Sequence, residues 1–325
     1  ESISVLKDAA AAAIYGSRAA SGVILVTTKS GERTRGFHVV YNNYFGLEEV
    51  IGLPNFITDP VRVLELTNLA KRNAEEQPWY SEELIEEYRQ GRNTNPITYP
   101  HNDWFDIMFD TGFIQNHNLR FTGGAEDYNF SLSLGYQDHD GVLMGTNSNK
   151  YSVSLSSNAN ITDKLSIGVK FNGQLREFDE ALAGTPYLMN MTFKNAGLGY
   201  EPTYAENGGY GNHFFITPGH YQFRNPIAVA TEGINNHRQE SYYLILNADY
   251  KFTDNLTYNI TGSYAKQNNL NTQFEPLIYQ YDVKTGDSKN VLIAGSATRR
   301  AEKRITNNYD LNFNQTLSWN KSFEL

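Results

Sequence analysis

The chain contains no cysteine among its 325 residues. That absence removes disulfide scaffolds, thiolate nucleophiles and cysteine-ligated zinc sites in one step, and it leaves the compartment open. Positive charge is also in short supply: 27 Lys and Arg stand against 36 Asp and Glu, for a net charge of -9 and a pI near 5.3. Nucleic-acid binders need a basic face to displace phosphate counterions, so no nucleic-acid partner is expected. Long apolar runs are missing too, since stretches such as 22–26 stop far short of the roughly 18 residues that a membrane helix requires. A β-barrel, whose strands cross lipid with alternating side chains, is untouched by that exclusion. What the chain has in quantity is aromatic residues, 22 Tyr and 18 Phe, in a composition 40% hydrophobic and 19% charged. That composition suits a large folded unit and not a disordered tail.

Alternation is the strongest signal along the chain. Tyr128, Phe130, Leu132, Leu134 and Tyr136 take turns with Asn129, Ser131, Ser133, Gly135 and Gln137, which in a strand gives one apolar and one polar face. The same period returns at 151–156, 165–172, 242–250, 256–260 and 309–313, with shorter versions at 39–45 and 116–122, so about eight strands are expected. Soluble sandwiches alternate as well, and the connections therefore decide. "ITDKL" at 161–165 and "FTDNL" at 252–256 are near-copies of one tight turn, "WNKSF" at 319–323 resembles a third, and 138–150, 178–238 and 266–303 read as long loops. Short turns on one rim and long loops on the other are the arrangement of outer-membrane barrels. Tyr128 and Tyr136 bracket an aliphatic stretch of about 26 Å at about 3.3 Å per residue, or about 20 Å of height at a tilt of roughly 40°. The expected fold is thus an all-β membrane protein, an antiparallel transmembrane β-barrel with the lipid bilayer as a partner.

Between 45 and 116 the period changes. Asp59 and Pro60 form an N-cap and first-turn pair ahead of Val61, Leu64, Leu66 and Leu69, and Ser81 caps a second helix over 81–90 that stops at Gly91. Both helices are expected as decoration on an extracellular loop.

The search for chemistry returns little. Glu82 with Glu83 and Glu86 with Glu87 read as solvated helix charges, and His213 and His220 lie in a long loop, without a third ligand at metal-like spacing, as exposed side chains. "GGYG" at 208–211 lacks the helix a phosphate site needs, and the Asn129 and Asn259 glycosylation-like matches are by-products of polar alternation. No catalytic residue, metal or cofactor is expected, and the chain does not read as an enzyme. One binding cluster stands out: Phe214, Phe215, Tyr221 and Phe223 with Arg224, where rings can stack on sugars and a guanidinium can clamp an acid. A loop mini-core or a contact to a covering partner is the plainer reading of the same residues.

The opening segment, "ESISVLKDAAAAAIYGSRAASGVILVTTKSG", resembles the end of the plug domain of TonB-dependent outer-membrane receptors, in particular the SusC/RagA branch. The match rests on a strand near Ile3 to Leu6, Lys7 and Asp8, a small-residue helix, Tyr15-Gly16, Arg18, and Gly22 entering Thr27-Thr28-Lys29; "IQNHNLRFTGG" at 114–124 and "DHDGVL" at 138–143 resemble the family's early barrel. It departs at Ala19-Ala20-Ser21, where the family often has Gly-Ala-Asn. Tyr15, Gly16, Arg18 and Gly22 are expected to be structural within the plug, Arg18 as a tie to the barrel wall or to plug loops. The resemblance implies two parts, residues 1–34 as the C-terminal remnant of an α+β plug domain and 35–325 as the first strands of a barrel of about 22. It further implies uptake of oligosaccharides or peptides energised through TonB, a SusD-type surface lipoprotein as lid, and residence in the outer membrane of a Gram-negative bacterium of the Bacteroidetes type. The TonB-contacting segment is expected upstream of these residues. The competing function is a secreted carbohydrate-binding β-domain with no part in transport.

Overall fold

The computed structural model describes residues 2–8, 22–27, 36–213, 224–291 and 298–320. Eight strands form one antiparallel sheet: β3 (Gly36–Glu48), β4 (Gly112–Gly124), β5 (Tyr128–Asp140), β6 (Asn147–Asn160), β7 (Leu165–Asp179), β9 (Ile234–Thr253), β10 (Leu256–Glu275) and β13 (Arg300–Trp319). Their spatial order is β13-β10-β9-β7-β6-β5-β4-β3, so each strand pairs with the next strand of the sheet. All eight expected strands are found. A separate antiparallel pair joins β1 (Ser2–Leu6) to β2 (Val23–Thr27). Gly22 enters β2 at φ +96°, where a Cβ would stand 3.3 Å from the Leu6 carbonyl oxygen, a conformation and a space that favour glycine. Tyr15, Gly16, Arg18 and the small-residue helix expected beside them lie outside the described residues.

Register sorts the side chains into two faces. Tyr136 pairs with Tyr151 and with His117, Leu132 with Leu155 and Phe121, and Leu246 with Val169 and Gly262, so the apolar sets of neighbouring strands share one face. That face is the exposed one: Leu246 is 50% exposed and Tyr128, Leu134, Tyr151, Tyr250, Leu311 and Phe313 are exposed with it. On the opposite face Asn129 and Ser131 are buried at 8%. Among the described residues, none of the buried hydrophobic side chains belongs to the eight-stranded sheet. A water-soluble sheet has the reverse arrangement, and a sheet that meets lipid has this one. On β9, Tyr242 and Tyr250 repeat the spacing of Tyr136 and Tyr128 on β5, which places two aromatic girdles around one aliphatic band. Among the described residues no helix is long and apolar enough to cross a membrane.

The turns on one rim are short. Thr162 Oγ1 accepts the backbone N–H of Lys164 and Leu165 at 3.2 and 3.0 Å, and Thr253 Oγ1 accepts those of Asn255 and Leu256 at 3.3 and 3.1 Å. The two near-identical sequence motifs therefore close by the same hydroxyl bridge. Most of the third, 321–323, lies outside the described residues.

The opposite rim corrects the expectation in three places. The 138–150 connection is not a long loop: β5 runs to Asp140, β6 starts at Asn147, and the Gly141 N–H bonds the Thr146 carbonyl at 2.9 Å. Gly145, at φ +78°, closes this turn against the Ala230 backbone, where a Cβ would lie 2.3 Å from the carbonyl oxygen. Likewise β10 and β13 extend to Glu275 and Arg300, well into the span expected as loop. Above a lipid band both faces meet polar surroundings, so strands continue there without alternation. The third correction concerns the helices α1 (Pro60–Asn73) and α2 (Glu82–Gly91), capped by Asp59 and Ser81 as expected. They are not decoration, because Val61, Leu64, Ile85 and Tyr88 are buried in a core with Tyr80 and Tyr200.

That core is half of a loop layer. The rest is built by α3 (Trp104–Met108), α4 (Thr185–Ala196) and α5 (Pro226–Thr231), whose Trp104, Met108, Leu188, Ile227 and Val229 pack together with Leu143 and Ile278. A three-stranded sheet links two loops, β8 (Tyr210–Asn212) lying parallel to β11 (Ile278–Asp282), which pairs with β12 (Ser288–Val291). Asn225 ties the layer together: its side-chain amide donates to the carbonyls of Pro202, Thr203 and Gly211 at 3.2, 2.7 and 3.3 Å, and its Oδ1 caps α5 at the Ile227 N–H, 3.0 Å.

Two outcomes test this architecture in a full-length protein. Leu246→Arg on the exposed face should cost about 2–4 kcal/mol of barrel stability in lipid, whereas Ser154→Arg on the polar face should leave assembly unchanged, as read by heat-modifiable gel mobility. Asn225→Ala should cost the loop layer about 2 kcal/mol from the lost cap and orphaned carbonyls, visible as faster amide exchange at 202–212 with the strands unaffected.

Candidate functional site

The inner face of the sheet is a wall of amides and hydroxyls. Register brings Ser154 opposite Asn172, Gln174 opposite Ser241, and Gln267 opposite both Ser241 and Asn308. These six line a trough of about 420 Å³ across β6, β7, β9, β10 and β13. Ser154 Oγ donates to Asn172 Oδ1 at 2.8 Å. Asp310 and Lys266 also line the trough, so its neutral donors and acceptors for polar groups stand beside one charge of each sign.

Above the trough the wall carries rings and a cation. Phe178 on β7 and His237 on β9 are register partners whose rings stack with centroids 4.6 Å apart and planes 1° from parallel. The Arg176 guanidinium lies 4.8 Å over the Phe178 ring, a cation–π arrangement. Asn271 donates to the His237 ring at 3.0 Å, and the His237 ring faces Glu180 at 3.6 Å. Tyr243 lines the trough below. Sequence reasoning missed this patch, although Phe178 gives it away: it is an aromatic side chain on the polar register of an alternating strand.

Of the residues named as ligand or lid contacts, Phe214, Phe215, Tyr221 and Phe223 lie outside the described residues. Arg224 is described, and its guanidinium donates to the Tyr187 hydroxyl of α4 and stands 5.7 Å from that ring. The sequence expected His213 to be exposed, and the structure corrects this: His213 is 1% exposed, with Nε2 2.7 Å from the Tyr88 hydroxyl. Its short polar neighbourhood in sequence gave no hint of the α2 helix that covers it. His220 is outside the described residues. The acidic pairs of α2 are exposed, as expected; beyond that expectation, Glu86 pairs with Arg89 and Glu87 with Lys284.

Around His213 burial shifts titrations strongly. Desolvation pushes His213 down to about 3, assisted by the Lys284 ammonium, and pushes the Glu201 carboxyl up to about 8 even though it accepts the His213 backbone N–H. The Tyr88 and Tyr200 phenols are raised by the same burial. At neutral pH this cluster therefore holds a neutral imidazole and a mostly protonated carboxyl. Among the described residues no group of three or more His, Asp or Glu side chains could hold a metal ion.

Comparison with known proteins agrees with this architecture. No protein-family model matches the chain. TonB-dependent receptor P3 of Formosa agariphila is 27% identical over 328 residues, covering 99% of this chain and 29% of that protein. TonB-dependent receptor SusC of Bacteroides thetaiotaomicron is 28% identical over 272 residues, covering 81% of this chain and 24% of its own length. The structure of the RagAB peptide importer in its open-open state superposes over 100% of this chain and 36% of that one, with a TM-score of 0.72 at 18% identity. The chain thus spans about three-tenths or less of the curated receptors it matches. The chain is similar in sequence, along almost its whole length, to TonB-dependent receptors, SusC among them, and in fold to the RagAB importer.

Proposed function

We propose that these residues form the end of the plug (1–34) and the first sector of the barrel (35–325) of an outer-membrane importer. The importer is energised through TonB by a segment upstream and takes up oligosaccharides or peptides delivered by a SusD-type surface lipoprotein. One observation carries the reading: the sheet turns its aliphatic, girdled face outward and an amide-lined wall inward. A secreted carbohydrate-binding domain would leave that aliphatic band in water, at a cost of about 25 cal/mol per Å² of apolar surface. The relatives are named as TonB-dependent receptors, and one structural neighbour, RagAB, is a peptide importer.

In this reading cargo enters between the long loops, meets the Arg176–Phe178–His237 patch and passes along the wall of Ser, Asn and Gln. Stacking rings hold sugar or side-chain faces, and the amides exchange hydrogen bonds as cargo advances. The aromatic cluster Phe214, Phe215, Tyr221 and Phe223 serves against cargo or against the lipoprotein, since aromatics dominate binding energy at such contacts.

Two measurements test the proposal in the full-length protein. Joint replacement of Arg176 and Phe178 by Ala should weaken cargo binding about tenfold, equivalent to about 1.4 kcal/mol, with heat-modifiable mobility unchanged. Uptake in whole cells should stop when a protonophore collapses the proton-motive force. Uptake that continues after collapse would contradict energised import, and unchanged affinity in the double variant would remove the patch from the cargo path.

A further inference from the structure

The three long loops meet at one polar knot enclosed by aromatic rings. From the first loop come Tyr80, just ahead of α2, Tyr88 on it and Tyr99 after it; from the second come Tyr200, Glu201 and His213; from the third comes Lys284. Tyr88 Oη lies 2.7 Å from His213 Nε2 and bonds the Tyr200 carbonyl at 3.4 Å, and the Tyr80 and Tyr200 hydroxyls are 3.3 Å apart. The third loop is fastened to the first by Lys284 on Glu87 at 2.8 Å and by the Thr98 hydroxyl on the Val283 carbonyl at 3.3 Å. It is fastened to the second by Asn212 Nδ2 on Gln280 Oε1 at 2.9 Å.

Glu201 sits inside this junction at 1% exposure, and its Oε2 has no hydrogen-bond partner among the described residues. The groups that face it are the Tyr80, Tyr88 and Tyr200 phenols and the His213 backbone N–H. The Lys284 ammonium acts on His213 and is itself paired with Glu87, which also receives the Tyr99 hydroxyl. No cation is set against the Glu201 carboxyl among the described residues. A carboxylate in such a place is shielded from solvent and has no counter-charge, and an imidazolium at His213 would be a second buried charge, 1% exposed and facing the Lys284 ammonium.

We propose that this knot is a two-sided proton latch: the loops stay welded while Glu201 is protonated and His213 is neutral, and losing the first proton or gaining the second opens the junction. The signs follow from linkage. Glu201, raised from 4.5 to about 8, lends stability that is full below 4.5 and is lost as pH rises to about 8. His213, depressed from 6.5 to about 3, lends stability that is full above 6.5 and is lost as pH falls to about 3. The two slopes cancel between 4.5 and 6.5, which makes that window the closed plateau. The opening constant rises about tenfold per pH unit from 6.5 to 8 through Glu201, and about tenfold per unit below 4.5 through His213. Any effect of opening on uptake rests on the importer reading; the latch itself does not.

Amide hydrogen exchange on the full-length protein in detergent, corrected for the intrinsic pH dependence of exchange, tests the latch without cargo. Protection at 84–88 and 198–213 should be flat from pH 4.5 to 6.5 and fall about tenfold per unit on either side, while β6 and β7 stay constant. Glu201→Gln should abolish the alkaline limb alone, and His213→Gln the acid limb alone. Flat protection in the wild-type protein from pH 4 to 9 would overturn the proposal, even if neither variant folds. An alkaline limb that survives in Glu201→Gln would overturn it equally.

Discussion

A strand that crosses hydrocarbon finds no water for its backbone, so each N–H and C=O must be satisfied by a neighbouring strand. The rest of the structure depends on that constraint. β10 pairs with β13 residue for residue from Leu256 opposite Trp319 to Glu275 opposite Arg300, and continuous ladders of this kind hold the sheet without a hydrophobic core beneath it. With the backbone satisfied by pairing, side chains are free to invert: apolar ones face out to lipid, and Asn, Ser and Gln face in. The outermost strands β3 and β13 each pair on one side only among the described residues, as befits a sector of a barrel.

The loop layer obeys the opposite rule. It lies beyond the lipid band, and Leu64, Trp104, Leu188 and Val229 are buried there as in any water-soluble domain. One chain thus folds under two solvents, and the boundary runs through the upper girdle of Tyr136, Tyr151 and Tyr242. The division matters for function. A wall held by backbone ladders tolerates changes in its side chains, and loops held by their own core can be remodelled while the wall stays in place.

What is legible in the sequence follows the same boundary. Within the lipid band the period of two is enforced by two different environments, and Tyr128 to Gln137 announce both faces of β5 on their own. Above the band the enforcement ends, so β10 from Lys266 to Glu275 and the start of β13 read as loop, and the turn after Asp140 reads as longer than it is. The helix caps at Asp59 and Ser81 are readable because capping is local chemistry. The burial of His213 and Glu201 is not, since it depends on α2, from a loop more than a hundred positions earlier, folding over them. The Arg176–Phe178–His237 patch is half visible, through the misplaced aromatic, but its partner on β9 requires the register.

The central claim is that the apolar face of this sheet meets lipid and the polar face does not. Because residues 1–325 contain no cysteine, single cysteines can be placed along β9 from Ser241 to Tyr250 and spin-labelled in the reconstituted full-length protein. Collision with dissolved oxygen, which concentrates in hydrocarbon, should then peak at 242, 244, 246 and 248, with a water-soluble nickel chelate excluded most strongly at 246. If the chelate reached positions 244 and 246 as freely as it reaches an exposed loop site, the sheet would be facing water and the account would be wrong.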